Sequence, residues 1–140
     1  MFENKVYPGV EKLLWTLRDA GRVLAVATSK PEVTAIEVLE HFHLAQYFDR
    51  ICGASLDEGR ESKEDVIAYL LSQIGDPGQT VMVGDTGYDV IGAKAHGIPT
   101  IGVTWGYGDA AAMQAAGAVA LADTPQDLHH LLNSIGDPQP

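Results

Sequence analysis

The chain has 140 residues, with 9 Lys+Arg against 19 Asp+Glu, so its formal charge is −10 at pH 7. That acidity argues against nucleic acid or an anionic membrane as a partner, because both need a basic face. Cys52 is the single cysteine, which excludes an intramolecular disulfide and a Cys-rich metal centre. Hydrophobic residues make up 46% and charged residues 20%, the proportions of a folded domain. No apolar run approaches the ~20 residues of a membrane span, and MFENKVYPG does not have the form of a signal peptide. A cytoplasmic domain is the expectation.

Along the chain two hydrophobic periods alternate. Val10, Leu13, Leu14 and Leu17 fall on one face of a helix that follows Pro8-Gly9 and stops at Gly21. Val23 to Thr28 is a short, nearly all-apolar run suited to a strand buried on both faces. Pro31 suits the first turn of a helix reaching about His41. Ile51 to Ala54 is a second strand. Ser62 and Asp65 have capping-box spacing ahead of a helix marked by Val66, Ile67, Leu70, Leu71 and Ile74. A turn, GDPGQ, leads to a third strand over Thr80–Val83. Gly84–Tyr88 is then a loop, and Asp89–His96 a short helix stopped by Gly97. Thr100–Val103 is a fourth strand. Asp109 caps an Ala-rich helix, Val119–Ala122 is a last strand, and Thr124-Pro125 opens a helix carrying Leu128, Leu131, Leu132 and Ile135. Strands alternating with amphipathic helices predict an α/β fold: a doubly wound, mostly parallel sheet covered on both faces.

In such sheets ligands bind beyond the carboxyl ends of the strands. Three segments lie there. Thr28-Ser29-Lys30-Pro31 offers hydroxyl and backbone N–H donors to an anion, and equally suits a plain helix N-cap. Gly84-Asp85-Thr86-Gly87-Tyr88-Asp89 sets two carboxylates around a glycine-containing turn. Hard oxygen ligands of this kind suit Mg²⁺, although Asp89 also suits a helix cap and Asp85 an ordinary loop. Thr104-Trp105-Gly106-Tyr107-Gly108 places Trp105 and Tyr107 where they can face a substrate or pack on a helix. Away from the strand ends, Lys63 opens a helix whose dipole disfavours a cation there, which hints at a task elsewhere; a solvated surface lysine is the bland alternative. The five histidines show no metal-ligand spacing.

Taken in order, VLAVATSKP, FDRICGASLDEGRESKEDVI, VMVGDTGYDVIGAKAHGIPTIGVTWGYG and a closing DTPQDL resemble the core of the haloacid dehalogenase-like hydrolases. The phosphoglycolate phosphatase branch, with its 5′-nucleotidase-like members, is the nearest in pattern. The resemblance runs from about Tyr7 to Leu132. It implies a Rossmann-like core over residues 1–135 with a short tail over 136–140, and a Mg²⁺-dependent phosphatase acting on a small phosphorylated substrate. It gives Thr28 and the Ser29 N–H to the phosphate, and Lys63 to the charge on phosphate and nucleophile. Asp85 becomes a Mg²⁺ ligand, and Asp89 a ligand or an acceptor behind it.

One departure stands out. The family's nucleophile and its acid/base are the two aspartates of a D-x-D-G-[TV] motif on the first strand, ahead of a helical cap. This sequence contains no D-x-D, and Glu3, Glu11 and Asp19, the acids before Thr28, do not end an apolar strand. The resemblance therefore implies a core lacking its usual first, central strand and its cap. The 140 residues alone are then expected to be inactive. The gap would be closed by pairing of its two flanking strands, by a strand shared from another chain, or by an N-terminal segment not in this sequence. A catalytically inactive domain that binds a phosphate or a partner is the alternative. A receiver domain fits less well, because the acidic pair it needs near the N-terminus is absent.

Overall fold

A computed structural model describes residues 8–55, 57, 59–74, 80–106 and 109–136. The chain divides into two compact units, Phe2–Gly75 and Asp76–Pro140. No helix among the described residues is long and apolar enough to cross a membrane.

The first unit holds α1 (Val10–Asp19), β1 (Ala25–Pro31), α2 (Glu32–His41), a 3-10 turn (Ala45–Tyr47), β2 (Arg50–Ala54) and α3 (Lys63–Ile74). Helix α1 buries Leu13 and Leu17 of its predicted stripe. It ends as glycine at a helix C-terminus directs, with Gly21 at φ +86° and its N–H on the Arg18 carbonyl. Strands β1 and β2 pair in parallel from Ala25–Arg50 to Ala27–Cys52, and an irregularity separates these pairs from Pro31–Ala54. Helices α2 and α3 cover the pair, burying Ala35, Leu39, Val66 and Ile67.

The second unit holds β3 (Met82–Gly84), α4 (Gly87–Lys94), β4 (Thr100–Val103), α5 (Ala110–Ala116), β5 (Ala120–Ala122) and α6 (Pro125–Gly136). Its three strands are parallel in the order β3-β4-β5. All four residues of β4 are buried, as an apolar strand flanked on both sides requires. Met113, Leu128 and Leu132 close the core over it. Asp109 caps α5 by accepting from Ala111 and Ala112 N–H groups at 2.9 and 3.4 Å.

The expected fold class holds: parallel strands alternate with helices throughout. Several boundaries move. Strand β1 begins two residues later than its apolar run and continues through Pro31, so Pro31 stands at the N-cap of α2, not in its first turn. Helix α4 starts at Gly87 because Thr86 caps it, and β3 extends to Gly84. The loop expected over Gly84–Tyr88 is thus reduced to Asp85 and Thr86. Gly136, expected in the tail, is the last residue of α6. The GDPGQ turn (75–79) and tail residues 137–140 lie outside the described residues. Ladders join β1 to β2, and β3 to β4 to β5, giving a two-stranded and a three-stranded sheet.

Ile101 is fully buried in β4, whereas Val33 on α2 is 69% exposed. Ile101→Ala is expected to cost about 2–5 kcal/mol and Val33→Ala less than about 0.5 kcal/mol. Urea denaturation checks both, and equal costs would contradict this placement of the core.

Candidate functional site

The residues of the first unit expected to hold phosphate meet where the regular pairing of β1 ends, at Ala27 and Thr28. Thr28 is half-buried, and its Oγ1 accepts the Lys30 N–H at 3.1 Å. This local turn leaves the hydroxyl hydrogen unused by that bond. Thr28 does not cap α2: the N-cap is Pro31, with no side-chain hydrogen bond. Ser29 beside it is exposed. From 36 residues along the chain Lys63 returns to the same place, donating from Nζ to the Ala27 carbonyl at 2.8 Å. The odd first-turn lysine is therefore turned back to β1 beside Thr28.

Two devices hold Lys63 there. One is the capping box foreseen at the start of α3. Ser62 Oγ accepts the Asp65 N–H at 3.1 Å, and the Asp65 carboxylate accepts from the N–H groups of Ser62 and Glu61 at 3.3 and 3.2 Å. Those backbone donors hold the Asp65 carboxyl below its ordinary 3.8. The other device was not foreseen. Arg60, 4% exposed, donates from Nε to the Gly53 carbonyl at 3.1 Å and pairs with Glu32 at 3.3 Å. Its guanidinium lies 3.9 Å from the centre of the Tyr69 ring. Glu32 also accepts the Gly53 N–H at 3.1 Å. Gly53 has no room for a side chain, since a Cβ there would lie 2.6 Å from the Glu32 Cα.

In the second unit the two carboxylates behave differently. Asp89, buried in the first turn of α4, turns Oδ2 back to the N–H groups of Asp85 and Thr86 at 2.9 and 3.2 Å. Thr86 Oγ1 lies 3.3 Å from that same oxygen and accepts the Asp89 N–H at 3.3 Å, completing a capping box. Asp89 therefore shapes the loop, which fits an acceptor behind a metal better than a direct ligand. Asp85 is half-buried, and its side chain packs on Gly106 so closely that a Cβ at Gly106 would lie 2.8 Å from its own. A Cβ on Gly84 would similarly come 2.6 Å from the Asp89 Cγ. Trp105 is half-buried in the bend after β4, and Tyr107 lies outside the described residues.

The donor set suits Mg²⁺, a hard cation that takes one or two carboxylates and keeps its waters. Among the described residues no group of three or more His, Cys, Asp or Glu side chains could enclose a metal. Cys52 offers no nucleophile: it is 3% exposed, and burial, followed by the Glu32 charge, raises its thiol above the ordinary 9.0. A cavity of about 370 Å³ in the first unit, bounded in part by Ile36, Phe48, Cys52 and Tyr69, includes none of the predicted site residues.

Residues 2–103 match the family model of haloacid dehalogenase-like hydrolases. The chain belongs to that family. Thr28, Ser29, Lys63, Asp85 and Asp89 all fall inside the matched segment; Trp105 and Tyr107 fall outside it. Among the relatives of this family member is Tyrosine-protein kinase PtkA of Mycobacterium tuberculosis, 53% identical over 108 residues that make up 76% of this chain and 37% of the relative. A 5′-nucleotidase of Pseudomonas aeruginosa is 40% identical over 77% of this chain and 49% of its own length. Among solved structures, a predicted phosphatase from Clostridium acetobutylicum superposes with a TM-score of 0.86 at 45% identity, over 93% of this chain and 61% of that one. The chain thus spans between about a third and three-fifths of the length of these relatives.

Two outcomes follow from the local geometry. Gly84→Ala is expected to cost about 1–3 kcal/mol in urea denaturation, because the added methyl group meets a carboxylate already fixed by backbone donors. For Asp65, a carboxyl lowered in the folded state stabilises above the unfolded value near 3.8, and that contribution disappears as pH falls through the lower folded value. The stability difference between the unaltered chain and Asp65→Asn should stay level from neutral pH down to about 5 and shrink below 3.8. A difference that grows on acidification would contradict the assignment.

Proposed function

We propose that Thr28, Ser29 and Lys63 of the first unit bind phosphate, and that Asp85 of the second holds the metal, in a Mg²⁺-dependent phosphatase acting on a small phosphomonoester. The observation that carries this is the return of Lys63 Nζ to the Ala27 carbonyl beside Thr28, in a chain that matches a hydrolase family. Thr28 donates its hydroxyl hydrogen to a phosphoryl oxygen, and the backbone N–H of Ser29 adds a second donor. Lys63 offsets the charge that builds on the equatorial oxygens. Asp85 holds Mg²⁺, which when bound supplies further charge neutralisation at the phosphate. Asp89 fixes the backbone from which Asp85 projects.

Attack on phosphorus belongs to an aspartate outside these 140 residues. Its carboxylate oxygen bonds to phosphorus as the ester P–O bond breaks. The departing alkoxide takes a proton from a general acid, and water then hydrolyses the aspartyl-phosphate. No acid of this sequence is proposed for either role. A first strand carrying both, supplied by another segment or another chain, is the partner that this reading implies. The 53% identity to a protein named as a tyrosine kinase favours one variant, in which a tyrosine hydroxyl replaces water as acceptor and the phosphate-holding residues keep their roles.

Inorganic phosphate in the presence of Mg²⁺ is expected to bind the 140-residue chain, measured by calorimetry. Lys63→Met and Asp85→Asn should each weaken binding by about tenfold or more. Turnover of p-nitrophenyl phosphate should be absent. Mg²⁺-dependent turnover by a chain whose intact mass is 14.9 kDa would refute the external nucleophile. Phosphate binding that ignores both substitutions would instead favour a domain that binds elsewhere and catalyses nothing.

A further inference from the structure

The residues that touch phosphate in the proposed function do not include Arg60, yet Arg60 is the most deeply buried cation of the described residues, at 4% exposure. A guanidinium in that position needs an anion and satisfied hydrogen bonds, or its desolvation would be prohibitive. It has both, and each partner belongs to a different element. Glu32, at 3.3 Å, is the first residue of α2 and lies four residues after Thr28. The Gly53 carbonyl, at 3.1 Å, is in β2. The Tyr69 ring, 3.9 Å away, is on α3. The Arg60 backbone is fixed as well: its N–H and C=O exchange hydrogen bonds with Ser55 at 2.9 and 2.8 Å. Lys63 follows three residues later.

The Arg60–Glu32 pair therefore ties together the two chain segments from which Lys63 and Thr28 project. We infer that Arg60 is a positioning residue: it clamps the Lys63 segment to the start of α2, so that the lysine ammonium is held on β1 at Ala27, beside Thr28, before any phosphate arrives. This rests on the proposed phosphate site. It assigns no contact between Arg60 and the phosphate. The guanidinium fork is essential to the clamp, because it serves Gly53 and Glu32 through different nitrogens while its central carbon lies over the Tyr69 ring. A lysine supplies the charge without the fork.

The test uses Arg60→Lys and Glu32→Gln in the 140-residue chain, with Leu39→Ala as a variant that loses core stability without touching the clamp. Two quantities are read below the melting temperature of every variant. One is the affinity for inorganic phosphate with Mg²⁺, by calorimetry. The other is the acylation rate of Lys63 by an N-hydroxysuccinimide ester, relative to Lys12 and Lys94, by peptide mass spectrometry. Arg60→Lys and Glu32→Gln are both expected to weaken phosphate binding by about tenfold and to speed Lys63 acylation severalfold, while Leu39→Ala changes neither. Wild-type acylation rates in both clamp variants would overturn the inference, leaving Arg60 a purely structural residue. If Arg60→Lys does not fold, Glu32→Gln alone decides. Failure of the unaltered chain to bind phosphate would sink the proposed function but not this inference, because Lys63 acylation still reports the clamp.

Discussion

A positive charge that is nearly excluded from water has to be surrounded on every side that matters, and the first unit is arranged around that requirement. Arg60 needs an anion, a carbonyl and a flat surface, and one helix start, one strand and one helix face supply them. The consequence extends beyond electrostatics. Glu32 must face inward, so the start of α2 is fixed; Gly53 must lack a side chain, so that the start of α2 can lie against β2. The short segment from Arg60 to Lys63 has little freedom left once the capping box of Ser62 and Asp65 is added. Thr28 and Lys63 inherit their places from these constraints.

The second unit solves the inverse problem with a negative charge. Asp89 is buried and draws backbone N–H groups toward its oxygen, and the turn of Asp85 and Thr86 winds around it. A carboxylate held in this way is an organiser. It fixes the direction in which the neighbouring, more accessible Asp85 leaves the backbone. Glycine at positions 84 and 106 is the corollary, because both carboxylate side chains press on backbone that has no Cβ. In each unit, then, a charged residue with no proposed contact to substrate or metal fixes a residue proposed to hold one of them.

Much of the architecture was legible in the sequence, and the reason is periodicity. Leu13 and Leu17, or Leu128 and Leu132, announce a buried helix face whatever the surroundings. The Ser62–Asp65 capping box and the Asp109 cap were readable too, since they depend on residues three apart or less. Strand boundaries were less legible: β1 runs past its apolar stretch through Ser29 and Lys30 because its pairing with β2 resumes at Pro31. The Arg60 clamp could not be read at all. Its members are scattered over Glu32, Gly53, Arg60 and Tyr69, and an arginine in the highly charged stretch SLDEGRESKED reads as a surface residue until the fold closes over it. Gly84 and Gly106 carried a faint signal, as glycines beside strand ends commonly mark close approaches. What each approached was a tertiary fact.

The packing of Asp85 on Gly106 has one more consequence. Gly106 adjoins Trp105, an indole only partly shielded from water, while the other tryptophan, Trp15, stands 58% exposed on α1 in the first unit. Whatever occupies or displaces the Asp85 carboxylate presses on the backbone next to Trp105. The molecule thus carries its own optical probe at the carboxylate proposed to hold the metal, with a second indole in the other unit to serve as an internal reference.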